Sequence, residues 1–421
     1  MTVPRPVRVS LHLLAAACCA VAGAAWPAAA QGHLQHYGFA VVDCRWDDPL
    51  DDELVLNYLA EVDCFTDVAQ MCVFEAAETI SSQIDLARAR GIRPILHVQG
   101  VLFEDTASGL ALRADYVERW NLFVANNAGA VTPDKVAALY LVDEPYHNGL
   151  TFDELDRPAA LLESSYPAIP SLVIEAYTSL DALQVPASID WVGFDEYGIY
   201  DPSTDPGYQQ HLATLKSHRS SPGQRVVIVM DAQWRPDYFL LGWSQETMAE
   251  VAANYYTLAE SDPDVIALIG YLWPGGLDLP VQLGARELPP VVQDEYVSIG
   301  RSILGPPAEC PVSGVRVRGN ESTTLTWAAV PDRPSAVYDV ERGDLGTLAE
   351  TAGRIELGTL TCIENDSSDT DSTSTPDTAV PSAGDGHFYL VRWQESPELG
   401  TRGKGSSGTP RVGTGGCSAV P

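Results

Sequence analysis

Basic residues are scarce in this chain, which has 25 lysines and arginines against 57 aspartates and glutamates and a formal net charge of −32 at pH 7. A surface of this sign repels phosphate, so we expect neither nucleic acid nor an anionic lipid surface as a partner. A neutral substrate fits better, although acidity also keeps an exported protein soluble whatever its function. The charge therefore excludes partners more firmly than it selects one.

Long apolar runs are also lacking, with one exception at the start. Two arginines precede an apolar run over residues 9–25, and three alanines at 28–30 are the small residues that a signal peptidase accepts. The run is short for a membrane span, and no later segment resembles one. We therefore expect residues 1–30 to be a signal peptide and the protein to be secreted or periplasmic. Cys18 and Cys19 leave lipoprotein anchoring as the less favoured alternative.

Zinc-type cysteine spacings are absent as well. Six cysteines follow the predicted signal peptide, three early and three late: Cys44, Cys64, Cys72, Cys310, Cys362 and Cys417. In an exported chain they favour disulfides over metal binding. Because each group has an odd number, either one thiol in each stays free or one bridge crosses between the groups. We expect one disulfide inside each group.

Residues 33 to about 304 alternate short apolar runs with longer amphipathic ones, which is typical of strands and helices in turn. Candidate helices cover 78–90, 115–127, 152–165 and 245–260. The eight apolar runs are HYGFAVVDC, DVAQMCVF, RPILHVQGVLF, VAALYLVDEP, SLVIEAY, IDWVGFDEYG, RVVIVMDAQW and VIALIGYLWPGG. Eight strands in about 270 residues predict an α/β fold, a (β/α)8 TIM barrel over residues 31–305. A doubly wound sheet would carry a glycine-rich phosphate turn after its first strand, and VVDCRWDDP has none.

Residues 306–421 differ in character, with short β-rich runs separated by Gly, Ser, Thr and Asp. This pattern predicts a small β-sandwich. Trp327, Tyr338 and Tyr389 resemble the core pattern of fibronectin type III domains. The acidic segment over 364–386 is interpreted as a solvated flexible loop.

In a β/α barrel, the residues that follow the carboxyl ends of the strands share one mouth, where such enzymes place their chemistry. Aromatic faces stack on the C–H faces of sugars, and carboxylates accept hydroxyl hydrogens or perform acid/base chemistry, so a mixture of the two suits carbohydrate. No HExxH motif and no phosphate loop competes with this interpretation, and we expect neither a metal nor a cofactor. The strand ends carry Asp43, Trp46, His97, Gln99, Asp143, Glu144, Glu175, Tyr177, Asp195, Glu196, Tyr197, Asp231, Gln233, Trp234, Tyr271 and Trp273.

Several of these strand ends resemble those of clan A glycoside hydrolases, which are retaining β/α-barrel enzymes. The fourth run ends in LVDEP, similar to the Asn-Glu-Pro of that clan, which implies that Glu144 is the acid/base and that Asp143 stands where Asn is usual. The sixth run, DWVGFDEYG, places Tyr197 at a tyrosine common in the clan. The seventh run has Met230-Asp231 where the clan commonly has Thr and the nucleophilic Glu. The eighth run places Trp273 at the position of a substrate-stacking Trp.

Two departures leave the mechanism open. Asp231 is one methylene shorter than Glu, and retention requires carboxyl groups about 5 to 5.5 Å apart, so either Asp231 is the nucleophile or Glu196 replaces it. Adjacent Asp and Glu also resemble the family 20 and family 123 hexosaminidases. In those enzymes the substrate's 2-acetamido group attacks, with Asp143 here orienting that group and Glu144 protonating the leaving oxygen. Both mechanisms require a protonated Glu144, which a negative Asp143 would favour.

The sequence therefore predicts an exported, monomeric glycoside hydrolase that cleaves O-glycosidic bonds of oligo- or polysaccharides with retention. The predicted catalytic residues are Glu144, Asp231 and Glu196. A non-catalytic carbohydrate-binding barrel is the competing class, because one fold serves many functions. The predicted substrate contacts are Asp143, Asp195, Tyr197, Trp234, Trp273 and His97.

Overall fold

The computed structural model describes residues 33–51, 54–305, 312, 315–319, 322–327, 329–330, 333, 335–351, 354–381, 384–395, 398–403 and 409–418. The predicted signal peptide and Cys310 lie outside these residues. Within this part of the chain, no helix is both long enough and apolar enough to cross a membrane.

Eight parallel strands close into a barrel, which confirms the predicted fold. Each strand lies within one of the eight predicted apolar runs, because a strand buried on both faces is apolar almost throughout. Neighbours in the barrel are neighbours in sequence, and the first strand pairs with the last. The strands are β1 His36–Asp43, β2 Val68–Cys72, β3 Arg93–His97, β4 Ala138–Asp143, β5 Ser171–Ala176, β6 Trp191–Asp195, β7 Arg225–Asp231 and β8 Val265–Tyr271.

Helices surround the barrel, and two connections depart from the regular β/α alternation. Only a four-residue helix joins β1 to β2, and a 3₁₀ helix joins β5 to β6. The α-helices are Leu59–Val62, Ser81–Ala89, Gln99–Leu102, Tyr116–Asn127, Phe152–Ser165, Pro206–Ser217, Thr247–Ser261 and Pro290–Leu304. The 3₁₀ helices are Tyr177–Ala182, Pro236–Leu241 and Ala285–Glu287, and a hairpin pairs Phe103–Thr106 with Gly109–Leu112.

Two of these helices begin at caps formed by neighbouring side chains. The Thr151 hydroxyl accepts from the Glu154 N–H at 3.4 Å, and the Glu154 carboxylate accepts from the Thr151 N–H at 3.0 Å. This capping box satisfies N–H groups that a helix start leaves unpaired. Asp205 accepts from the Tyr208 N–H at 2.8 Å, with Pro206 in the first turn.

Side chains of the strands form two cores, one inside the barrel and one between the barrel and the helices. Tyr140, Ile174 and Val229 belong to the interior, whereas Phe39 and Leu141 belong to the helix-facing core. Alternate residues of a strand point to opposite faces, so the interior is built from every second residue. Tyr197 and Tyr271 pack against the interior at its carboxyl end, where the mouth opens.

Disulfides lie within each cysteine group, as predicted. Cys44–Cys72 joins the end of β1 to the end of β2, and Cys362–Cys417 lies in the C-terminal region. Cys64 is also disulfide-bonded. The alternative in which one early thiol stays free is therefore wrong.

The C-terminal region forms sheets separate from the barrel. Arg316–Gly319 pairs with Thr323–Thr326, and the second sheet has the order Ala349–Thr351, Arg354–Ser367, Val337–Asp344, His387–Glu395, Glu398–Leu399, with Arg411–Gly415 parallel to Arg354–Ser367. The rings of Trp327 and Tyr338 are both buried, with centroids 5.6 Å apart. This architecture agrees with a β-sandwich, while the fibronectin type remains a prediction.

The interpretation of residues 364–386 as a solvated loop is wrong for residues 364–367, which lie in the strand Arg354–Ser367, and for the central part of the segment. Asp371 and Asp377 form bridges to the strand Thr323–Thr326. Ser372 is fully buried, and Asp377 accepts from the Arg342 guanidinium at 2.8 Å. The acidic composition suggested a solvated segment, but Arg342, which is distant in sequence, neutralises the charge of Asp377.

An acidic cluster at the barrel mouth

Three carboxyl groups at the ends of β4 and β6 interact electrostatically, and we call Asp143, Glu144 and Asp195 the acid cluster. Burial raises the pKa of Asp195 to about 8, and the negative charges of Asp143 and Glu144 add to this. Burial also raises the pKa of Asp143 to about 7, where the Tyr140 hydrogen bond opposes the effect and the charge of Glu144 adds to it. The cluster therefore retains protons near neutral pH.

A β-bulge in β4 turns Asp143 toward the mouth. Tyr140 pairs with Leu172 and Val142 with Val173, so one extra residue, Leu141, lies between them. Leu141 and Val142 both belong to the helix-facing core. Simple alternation from Tyr140 would point Asp143 outward, but the extra residue returns it to the inner face. There the Tyr140 hydroxyl donates to the Asp143 carboxylate.

Glu144 follows at a sharply turned position. Its φ of 46° lies in the left-handed region, which is strained for a residue with a Cβ and costs on the order of 1 kcal/mol. Its N–H donates to the Ile174 carbonyl at 2.7 Å, and its own carbonyl accepts from the Asn148 N–H at 2.9 Å. The half-buried carboxylate accepts no hydrogen bond from the residues that the structure describes. It is the member of the cluster that is most available to a ligand.

Glu175 holds the turn that carries Glu144. It is fully buried, and its carboxylate accepts from the N–H groups of Tyr146 at 2.8 Å, His147 at 3.1 Å and Ala176 at 3.0 Å. Burial raises its pKa, and these three hydrogen bonds oppose the change. The sequence placed Glu175 at a strand end but did not identify it as a site residue. An acid that directly follows buried strand residues was the available signal.

His97, a predicted substrate contact, supports Asp143 instead. Its Nδ1 accepts from the Gln70 amide at 3.1 Å, and its Nε2 donates to the Gln99 side-chain oxygen at 3.3 Å. The same oxygen accepts from the Asp143 N–H at 2.9 Å. Burial lowers the pKa of His97 to about 4, so the ring is neutral. Because both ring nitrogens are engaged, His97 positions Asp143 and has no nitrogen left for a sugar.

Two tyrosine rings line the mouth beside Asp195. The Tyr197 hydroxyl donates to Asp195 Oδ2 at 3.1 Å, and its ring stacks on Tyr271 with centroids 5.2 Å apart. The Tyr271 hydroxyl donates to Asp278 at 2.9 Å. Asp195 Oδ1 is buried and has no hydrogen-bond partner among the described residues. This oxygen is free to accept a hydrogen bond from a ligand or to react with one.

The two other predicted catalytic acids have different surroundings. Asp231 lies on the inner face beside Tyr271 but is fully buried, and its carboxylate accepts from the Gly198 N–H at 2.8 Å and the Tyr238 hydroxyl at 2.6 Å. Burial raises the pKa of Asp231 to about 6. Glu196 pairs with His211 of helix Pro206–Ser217 at 2.8 Å, so it faces the helix layer. The structure joins neither to the acid cluster by a hydrogen bond between described residues.

The two predicted tryptophan contacts also differ from each other. Trp273 is only 3% exposed, and its indole donates to Glu61 at 2.6 Å while its ring packs on Phe39 in the helix-facing core. It is therefore not placed to contact a substrate. β8 ends at Tyr271, which packs against the barrel interior, and Trp273 beyond it no longer follows the alternation of the strand. Trp234 is half-buried in the loop after β7 and stays available.

The fold and this site define a TIM barrel with an acidic, tyrosine-lined mouth. No family model and no curated protein matches the chain. Among solved structures, a glucosidase from Croceicoccus marinus is similar with a TM-score of 0.46 and 10% identity over 79% of this chain and 81% of that one. Xylanase 10B from Thermotoga maritima has a TM-score of 0.41 and 12% identity, and the match covers 64% of this chain and 97% of that one. β-Glucuronidase 2 from Bacteroides uniformis has a TM-score of 0.46 and 11% identity, and the match covers 91% of this chain and 47% of that one. Similarities this low carry no functional argument, which has to come from the site.

Proposed function

We propose that the protein is a glycoside hydrolase that cleaves O-glycosidic bonds, with Glu144 as the general acid/base. The observation that carries this proposal is the accessible carboxyl of Glu144 beside two acids, Asp143 and Asp195, whose pKa values are raised to about 7 and 8. Neighbouring carboxylates cannot all ionise cheaply, so the cluster keeps a proton near neutral pH. The accessible member can deliver that proton to a leaving oxygen.

Asp195 is our candidate for the second carboxylate. Asp231, the nucleophile expected from the sequence, is fully buried; both of its hydrogen bonds fall on Oδ2, and its Oδ1 has no partner among the described residues. Asp195 is only partly buried, and Glu196 faces His211. Burial is the main cause of the raised pKa of Asp195, and the charges of Asp143 and Glu144 add to it, so a proton placed on Glu144 removes one of the contributions that oppose ionisation of Asp195. The pair then consists of one acid and one anion, which is the division that glycosidases use.

The reaction follows from these two roles. Glu144 donates its proton to the glycosidic oxygen as the C–O bond breaks, and the Asp195 carboxylate bonds to the anomeric carbon. Glu144, now a carboxylate, removes a proton from water, which displaces Asp195 and releases the sugar. Two displacements at one carbon give retention, which requires the two carboxyl groups to lie about 5 to 5.5 Å apart.

The location and domain limits complete the proposal. A signal peptide over 1–30 and disulfides inside both cysteine groups support an exported protein. We assign catalysis to the barrel over 31–305 and propose a fibronectin-like β-sandwich over 306–421.

The test begins with a panel of nitrophenyl glycosides, followed by the variants Glu144→Gln and Asp195→Asn on any substrate that is cleaved. Both variants should lose at least about a thousandfold in kcat, whereas Glu163→Gln, an exposed acid on helix Phe152–Ser165, should not. Azide should restore activity to both variants. It should give a product of retained configuration with Glu144→Gln and inverted with Asp195→Asn. An unchanged rate for Glu144→Gln would remove the acid/base assignment.

Substrate-assisted cleavage of N-acetylhexosaminides is the second candidate. It is favoured by the burial of Asp231 and by the Tyr140 contact that holds Asp143 beside Glu144. If it is correct, only 2-acetamido substrates of the panel are cleaved, and azide gives no inverted product with Asp195→Asn. Saccharide binding without any turnover would instead identify a non-catalytic carbohydrate-binding barrel.

A further inference from the structure

Three loops at the barrel mouth expose apolar side chains. The loops follow β7, β8 and β1, which are consecutive in the barrel. Leu240 is 85% exposed and Phe239 is 75% exposed, and both lie in the 3₁₀ helix after β7. We call the set the apolar rim, which consists of Phe239, Leu240, Leu241, Leu277, Leu279, Val281, Leu50, Leu54 and Leu56.

Backbone contacts fasten these loops to each other. Trp234 after β7 pairs with Leu283 after β8 through two backbone hydrogen bonds of 2.9 and 3.0 Å. The Trp46 indole after β1 donates to the Gly275 carbonyl after β8 at 2.9 Å. The rim therefore belongs to one connected surface around this side of the mouth.

The rim also adjoins the site. A Cβ built on Gly198 would lie 3.6 Å from the Leu241 side chain, so Leu241 packs directly behind the residue that follows Tyr197. On the β8 loop, Asp278 accepts from the Tyr271 hydroxyl, and the exposed Leu277 and Leu279 flank it. The rim therefore borders the two tyrosines that line the mouth.

The composition of the rim favours an aliphatic group over a second sugar. Eight of its nine side chains are Leu or Val, which offer neither a ring face to a sugar nor a hydrogen bond to a hydroxyl. A concentrated set of exposed apolar side chains on a soluble protein marks a binding surface. The net charge of −32 disfavours an anionic group on the portion bound there.

We propose that the substrates are neutral glycosides with a long aliphatic aglycone, whose sugar lies at the acid cluster and whose chain lies along the apolar rim. This inference rests on the proposed function for the fate of the substrate but not for its binding. Each methylene that is buried should tighten binding about two- to fourfold.

The test measures binding of n-alkyl β-glucosides from butyl to decyl, below their micelle concentrations, by titration calorimetry on the full chain. In the wild type the Kd should fall about two- to fourfold per methylene. The double variant Phe239→Ser/Leu240→Ser should show little dependence on chain length. The matched control Val117→Ser/Leu122→Ser, on helix Tyr116–Asn127, should behave as the wild type.

The outcomes separate this inference from the proposed function. A Kd independent of chain length in the wild type, or the full dependence retained in the rim variant, overturns the inference. A wild-type dimer in light scattering that the rim variant converts to a monomer assigns the rim to a second copy of the chain and also overturns it. Chain-length-dependent binding in a protein that cleaves no glycoside supports the rim and contradicts only the hydrolase. Cleavage of nitrophenyl glycosides at wild-type rates by the rim variant confirms that its acid cluster is intact.

Discussion

Replacing Asp143 with Asn should make the protein less sensitive to rising pH. Burial first, and then the charge of Glu144, raise the pKa of Asp143 from 3.8 to about 7, so the folded protein holds this proton more tightly than the unfolded chain does. A group of this kind stabilises the fold fully below its unfolded pKa, and the stabilisation is lost as the pH rises through the folded pKa. The variant lacks this titration, and its amide oxygen can still accept from Tyr140.

The magnitude follows from the two pKa values. From about pH 5 to pH 8, linkage gives a loss of about 2 to 3 kcal/mol of unfolding free energy from Asp143 alone. Part of the carboxyl still meets solvent, so we expect the lower end of this range. The advantage of Asp143→Asn over the wild type should therefore grow by about 2 kcal/mol of unfolding free energy between pH 5 and pH 8, and it should vanish only below the unfolded pKa of 3.8.

Urea unfolding followed by tryptophan fluorescence at several pH values measures this difference. Asp105→Asn is the matched control. Asp105 is exposed and lies on the hairpin that Phe103–Thr106 forms with Gly109–Leu112. The control should keep the wild-type slope of unfolding free energy against pH. An Asp143→Asn slope equal to that of the wild type would refute the burial of a protonated carboxyl at this position.

Three further changes have defined outcomes. Glu175→Gln should cost about 1 to 3 kcal/mol in urea unfolding and lower kcat more than it raises KM, because a backbone N–H beside the turn of Glu144 loses its acceptor; an unchanged kcat would contradict a positioning role. Trp273→Phe should cost about 1 to 3 kcal/mol and leave KM unaltered, since it removes a core contact and a hydrogen bond; a raised KM would place it at the substrate after all. Removing Cys44–Cys72 by Ser substitution should lower stability by about 3 to 4 kcal/mol, given its separation of 28 residues, and an unshifted urea midpoint would argue against that cross-link.

The sequence alone determined the architecture of the barrel. Strands that are buried on both faces have apolar sequences almost throughout. The surrounding helices have amphipathic sequences, some with local caps such as Thr151 and Asp205. Both signals depend on residues within a few positions of each other. The acids and aromatics after the strands were visible for the same reason, since their positions follow once the strands are located.

Which of these side chains meet depends on packing between elements that are distant in sequence. One extra residue in β4 turns Asp143 inward, and pairing with His211 turns Glu196 away. Tyr238 and the Gly198 N–H cover Asp231, and β8 presents Tyr271 to the mouth in place of Trp273. Because a shift of one residue reverses the face of a side chain, its direction depends on strand register and on partners far along the chain. The residue types at the mouth therefore follow from the local sequence, while packing determines which of the acids interact.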